Sequence, residues 1–360
     1  MRSPEALLVP VLTGLALIAP AALRADDLPV YPDKAKLLVW RDAESKEHAV
    51  KTAADWAKRR AHILAHMQEV MGPLPAADRK VPLDAQTIDE TKTDKFIRRK
   101  LTIAVEKGDR LPVFLLIPKN AKAKTPAVLC LHPTNRELGK RVVVGEGPKE
   151  DRAYAVHLAE LGYITLAPDY LNSGDYKFDA YKNGYVSATM KGIWNHMRCV
   201  DFLQSLPEVD PERIGVIGHS LGGHNSMFVA VFDERIKCVV SNCGFCSFRT
   251  YMKGDLTGWS HDGYMPRIRN VYERKPEKMP FEFMEVVAAL APRAFLASAP
   301  LKDSNFDVDG VKECVAAAQP VYELLGAKEK LAANYPDCGH DFPPEVRKVA
   351  YDWLDRWLKK

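Results

Sequence analysis

The chain has no block of like charge. Its 51 Lys and Arg against 47 Asp and Glu leave a formal net charge of +4 over 360 residues. That balance gives no case for a nucleic-acid partner or a polybasic membrane surface. No internal repeat and no low-complexity linker is present, so a solenoid or a tail-like segment is excluded. A zinc-site pattern is missing as well. Cys243 and Cys246 have Cys-x-x-Cys spacing but no second pair to complete the ligand set. His62 and His66 lie one helical turn apart, with Ile63 where a His-Glu-x-x-His motif carries Glu, and both are expected to face solvent. No metal and no organic cofactor is implied. Hydrophobic residues at 47% and charged residues at 27% describe a globular protein, excluding disorder and multi-span membrane topology.

The N-terminus departs from this mix. Arg2 precedes an apolar run from Ala6 to Leu23, which ends in Leu23-Arg24-Ala25 before Asp26-Asp27. This reads as a secretory signal peptide over residues 1–25, placing the mature protein outside the cell or in the periplasm. The alternative is an uncleaved anchor, but Pro10, Gly14 and Pro20 interrupt the run, so no stable membrane anchor is expected. The odd count of 7 cysteines leaves at least one thiol unpaired within a monomer.

Residues 26–75 read as a helical extension. Trp56, Ile63, Met67 and Val70 recur at helical spacing, predicting a helix from about Ser45 to Met71, with Gly72-Pro73 as its stop. Alternation follows. Lys95–Val105 and Leu111–Ile117 flank Lys107-Gly108-Asp109, a hairpin signal. Short apolar runs then alternate with helical ones. Strands are expected at Ala127–Leu131, Tyr163–Ala167, Ile214–Ile217, Ile236–Ser241, Ala294–Ala299 and Leu331–Tyr335. Helices are expected at Asp151–Leu161, Val186–Leu206, Leu221–Val231, Val311–Leu325 and Pro344–Leu358. This rhythm predicts an α/β domain over 76–360: a mostly parallel sheet with helices on both faces. Residues 245–290 break it, and so long an aperiodic stretch reads as a lid-like insertion.

The chemistry-bearing segment is Gly218-His219-Ser220-Leu221-Gly222, a Gly-x-Ser-x-Gly motif entered by a strand and followed by an apolar helix. Such a turn holds the serine in strained backbone at a helix N-terminus, where free amides favour developing negative charge. The bare alternative is a glycine-rich turn with no activity. A serine nucleophile needs a base. His340 follows the last strand, Leu331–Tyr335, and is the candidate. His219 and His224 flank Ser220 too closely to reach its hydroxyl and read as packing or pocket-wall residues. The acid should follow Ala294–Ala299, where Asp303, Asp307 and Asp309 are candidates; Asp303, the first of them, is preferred. For the oxyanion hole the Leu221 amide is expected, with a second amide from His132-Pro133-Thr134. Pro133 has no N–H, which leaves Thr134. Trp259-Ser260-His261-Asp262 holds the right residue types, but consecutive residues cannot form a relay.

With these residues the chain resembles the α/β-hydrolase superfamily from about Thr87 to the C-terminus. Met197-Arg-Cys-Val-Asp-Phe-Leu and Asp210-Pro-Glu-Arg-Ile-Gly-Val-Ile-Gly-His-Ser-Leu-Gly-Gly are similar to the acetylxylan esterase, dienelactone hydrolase and prolyl oligopeptidase-like branch. Gly339-His340-Asp-Phe342 is similar to the histidine loop of dienelactone hydrolases. Those enzymes use cysteine where Ser220 stands, and glucuronoyl esterases carry Arg where Leu221 stands. The resemblance implies an α/β-hydrolase fold and a secreted serine hydrolase that cleaves carboxylic esters through an acyl-enzyme, with acylated carbohydrate or a related small ester as substrate. Tyr251, Trp259, Tyr264 and Tyr272 of the insertion either wall a sugar ring or simply pack the lid; Trp259 and Tyr264 are the substrate-binding candidates. Two readings compete. One is a propeller-free, prolyl oligopeptidase-like peptidase. The other is a non-catalytic binding protein on the same scaffold.

Overall fold

The computed structural model describes residues 28–359. The expected signal peptide lies outside them, apart from which no helix among the described residues is long and apolar enough to cross a membrane.

The chain starts with a small antiparallel ribbon, β1 (Val39–Arg41) and β2 (Glu47–Ala49), and then α1 (Ala53–Met71). The helix expected from Ser45 therefore begins later. Ser45 turns the chain with φ +64, and Thr52 caps α1 in a capping box with Asp55. The stop at Gly72 has a steric cause: φ is +92, and a Cβ there would meet Val186 Cβ at 2.5 Å.

Three antiparallel strands follow: β3 (Gln86–Lys92), β4 (Phe96–Glu106) and β5 (Asp109–Pro118). Fully exposed β3 carries no apolar alternation, so only the β4–β5 hairpin was readable. The remainder is β6 (Thr125–Leu131), α2 (Tyr154–Glu160), β7 (Ile164–Pro168), α3 (Ala188–Ser205), β8 (Val209–His219), α4 (Leu221–Phe232) and β9 (Ile236–Asn242). Then come α5 (Arg267–Asn270), α6 (Phe283–Ala289), β10 (Ala294–Ser298), α7 (Val308–Leu324), β11 (Leu331–Asn334) and α8 (Pro344–Leu358). The nine-stranded sheet runs β11-β10-β9-β8-β6-β7-β5-β4-β3. From β7 to β11 it is parallel, and β5 joins β7 antiparallel.

Every residue of β6 is buried, because both faces are covered. Leu129 and Val216 point into one apolar cluster, shared with α1, α3, α4 and α6. Val128 and Ile217 point into the other, under α2 and α8. Each such side chain contributes about 1.5–3 kcal/mol by leaving water. The first cluster runs without interruption into α1 through Trp56, Ile63 and Met67. A buried ion pair, Arg59 with Glu285, locks α1 to α6, and Arg59 also lies 3.5 Å over the Tyr31 ring.

The histidines of α1 do not face solvent as expected. Tyr31 packs over them: its hydroxyl is 2.7 Å from His62 Nδ1, and His66 is 4% exposed. Residues 245–290 form short turns around α5 and α6, and they bury Phe245, Phe248, Trp259, Phe281 and Phe283.

Candidate active site

Ser220 occupies the turn from β8 to α4 with φ +56 and ψ −116, a strained conformation for a residue with a side chain. Its amide donates to Asn242 O at 2.9 Å, and its carbonyl receives Gly223 N at 2.8 Å. The flanking glycines are required by close approach. A Cβ on Gly222 would sit 1.9 Å from Leu131 O, and one on Gly218 would sit 2.1 Å from Gly222 O. The turn thus has room only for the motif it carries.

His340 and Asp303 meet beyond the ends of β11 and β10. His340 Nδ1 lies 3.0 Å from each carboxylate oxygen of Asp303. Asp303 is held from the other side, since Oδ1 accepts the amides of Asn305 at 2.8 Å and Phe306 at 3.1 Å. Burial alone would raise the Asp303 carboxyl. The hydrogen bond from His340 and the two amides outweigh it, so the carboxyl lies below the usual carboxylate range. Asp307 instead caps α7 by accepting from Asp309 N and Gly310 N, and Asp309 pairs with Lys312; neither meets His340. Among the described residues Ser220 Oγ has no hydrogen bond to His340. The His219 ring, next to Ser220, is centred 4.9 Å from the His340 ring.

The loop after β6 is latched by its own first residue. Tyr170 N–H donates to His132 Nε2 at 2.9 Å, so the ring proton sits on Nδ1 and is donated to Pro133 O at 2.7 Å. Fixing the Pro133 carbonyl fixes the Thr134 amide, which belongs to the same peptide plane and points the opposite way. Burial pushes the His132 ring below its ordinary value, consistent with a neutral latch. The Leu221 amide lies in the first turn of α4, where helix amides lack intrahelical acceptors.

The insertion covers this end of the sheet. Tyr264 hydroxyl is 3.4 Å from Thr134 Oγ1, and Tyr264 packs edge-on against His224 with centroids 5.4 Å apart. Trp259 lies deeper, 2% exposed, against His224 at 4.8 Å and Phe283 at 5.3 Å. Of the two aromatic candidates, Tyr264 therefore reaches the loop of Thr134, while Trp259 supports it from below. Tyr251 packs at a tilt against Trp259 in the same cluster, and Tyr272 packs at its edge. His219 and His224 are both buried, and burial pushes His224 down to about 3. In the run 259–262, Ser260 Oγ donates to Thr257 O and His261 Nδ1 accepts from Gly263 N, so no relay forms there.

One neighbour was not visible in the sequence. Cys243 follows β9 in left-handed backbone with φ +48, and its Sγ, an Asp303 oxygen and a His340 ring nitrogen lie within 4.8 Å of one another. Burial and then the Asp303 charge push the thiol well above its ordinary value, so it stays protonated beside the carboxylate. All 7 cysteines are free, and only Cys338 is not fully buried.

The prolyl oligopeptidase family profile matches residues 150–360. "Putative hydrolase YtaP" of Bacillus subtilis (strain 168) is 25% identical over 312 residues, covering 83% of this chain and 100% of its own length. "Carbohydrate esterase MZ0003", from an unknown prokaryotic organism, is 25% identical over 146 residues, 38% of this chain and 33% of its own. Among solved structures, a glucuronoyl esterase from Solibacter usitatus superposes with a TM-score of 0.72 at 19% identity, over 92% of this chain and 99% of that one. At that identity the likeness shows a shared α/β-hydrolase fold.

Proposed function

The chain belongs to the prolyl oligopeptidase family, and on that premise we propose that it is a secreted serine esterase acting on acylated carbohydrate. The observation that carries this reading is the Asp303–His340 pair, held at the sheet end where strained Ser220 projects. In the proposed reaction Ser220 Oγ attacks the ester carbonyl carbon while His340 Nε2 takes its proton. The Leu221 and Thr134 amides receive the oxyanion, each donor worth about 100- to 1000-fold in rate. His340 returns the proton to the departing alcohol, leaving an acyl-serine. Water, deprotonated by His340, then releases the acid. Asp303 orients the ring and stabilises its cation.

The names of similar proteins favour ester over peptide by weight: a carbohydrate esterase, an acetyl esterase and glucuronoyl esterases stand beside a dipeptidyl-peptidase. Leu221 stands where glucuronoyl esterases carry Arg, which favours an acetylated sugar over a glucuronate ester.

The test compares p-nitrophenyl acetate, acetylated xylan, a methyl glucuronate ester and an aminoacyl p-nitroanilide, with wild type and Ser220→Ala. Ser220-dependent acetate release from xylan is expected. Anilide cleavage without ester turnover would replace this reading by the peptidase, and inertness towards all four by a binding protein.

A further inference from the structure

Resting on the esterase reading, we propose a second carbohydrate subsite: a cavity beside the Thr134 loop that takes a neighbouring ring of a neutral glycan, making the substrate a polymer and not a small ester. The cavity, about 430 Å³, lies between the loop after β7 and Asp262 of the insertion. Its floor is apolar, with Leu171 and Ala180 buried. Its rim carries Tyr181, 41% exposed, whose hydroxyl donates to Asp262 O at 2.5 Å. An exposed tyrosine ring fixed by its own hydroxyl is a preformed platform for the apolar face of a sugar ring, with little rotamer freedom left to lose.

The cavity is joined rigidly to the reaction centre. Tyr170 hydroxyl donates to Gly263 O at 3.0 Å, and Tyr264, the next residue, touches Thr134. Asp262 and Tyr264 are two residues apart, so their backbones are separated by at most about 7 Å. A glycan that presents one acylated hydroxyl to Ser220 would thus extend a neighbouring ring towards Tyr181.

The charges argue for a neutral ligand. Asp262 is paired with Arg269 at 3.0 Å, and Asp179 with Lys182 at 3.5 Å. With Lys177 also on the rim, the cavity offers hydrogen-bond donors and acceptors for hydroxyls but no one-signed field to hold an anionic or cationic sugar.

The test reads the ratio of kcat/KM on acetylated xylan to that on p-nitrophenyl acetate. Tyr181→Ala should lower this ratio about tenfold or more, mainly through KM on the polymer, and Tyr181→Phe, which keeps the ring, should hold it within about threefold. A Tyr181→Ala ratio within about twofold of wild type, or an equal loss in both variants, overturns the stacking platform. Calorimetric titration of wild type with unesterified xylo-oligosaccharide is the second arm: measurable binding supports the subsite and its absence overturns it. If no ester is turned over in a Ser220-dependent way, the esterase reading has failed, and this titration, repeated on Tyr181→Ala, decides the subsite separately.

Discussion

Replacing Asp303 by Asn should be more damaging than deleting its side chain. In the structure Oδ1 accepts two backbone amides, from Asn305 and Phe306, and these can be satisfied only by an oxygen. An Asn side chain must therefore keep its carbonyl there and turn its NH2 towards His340 Nδ1, 3.0 Å away. The retained carbonyl Oδ1 also lies 3.0 Å from Nδ1, but its two lone pairs are taken by the Asn305 and Phe306 amides, while an NH2 only donates, so Nδ1 accepts and the ring proton moves to Nε2. A ring protonated at Nε2 cannot take the Ser220 proton. Asp303→Asn is thus expected to lower kcat by about 10,000-fold, some 5 kcal/mol, as a forced wrong tautomer does in a serine relay. Asp303→Ala loses orientation and cation stabilisation but dictates no tautomer, so a loss of about 100- to 1000-fold is expected. Initial rates on p-nitrophenyl acetate at saturation, beside melting curves that show both variants folded, decide the matter. Ala as damaging as Asn would refute the tautomer argument. Asn within about tenfold of wild type would refute the relay itself.

Further expectations concern stability. Breaking the buried Arg59–Glu285 pair from one side should cost about 3–5 kcal/mol, because the partner is left as an uncompensated buried charge. Arg59→Met and Glu285→Gln should each lower the urea midpoint well below that of wild type, and an unchanged midpoint in either would contradict this. Burial pushes Glu282 up to about 7, from an ordinary value of about 4.5, against the amides of Phe248 and Phe283. Its folded state holds the proton longer than the unfolded chain, so its stabilising share is complete below about 4.5 and is lost as pH rises through about 7, a span of about 3 kcal/mol. Glu282→Gln should flatten that part of the stability–pH curve, and an unchanged slope would remove Glu282 as its source.

The sheet was legible because burial on both faces leaves unbroken apolar runs: Ala127–Leu131 and Ile236–Ser241 fall within β6 and β9. Where burial is partial the pattern failed. β3 has no buried residue, and β2 lies where helical spacing was extended too far back, since polar residues preceding Thr52 carry no period. The meeting of His340 with Asp303 could be foreseen because each follows a strand end, and chain order along a parallel sheet fixes which loops share an edge. The apposition of Cys243 to Asp303 could not be named, because it depends on left-handed backbone at a residue that does not ordinarily adopt it. The His132 latch was invisible for another reason: its partners, Pro133 O and Tyr170 N, are backbone atoms that no side-chain pattern reports.

The backbone at Ser220 has one more consequence. A residue with a side chain at φ +56 and ψ −116 holds about 1–3 kcal/mol of strain. Glycine would relieve it and give back only about 1 kcal/mol through the looser unfolded chain. The exchange Ser220→Gly thus removes the proposed nucleophile while leaving the molecule at least as sturdy. For a lineage under relaxed selection, loss of the reaction and retention of the fold would lie a single codon apart. Inactive descendants of this scaffold should accordingly be durable proteins, free to be recruited for binding alone.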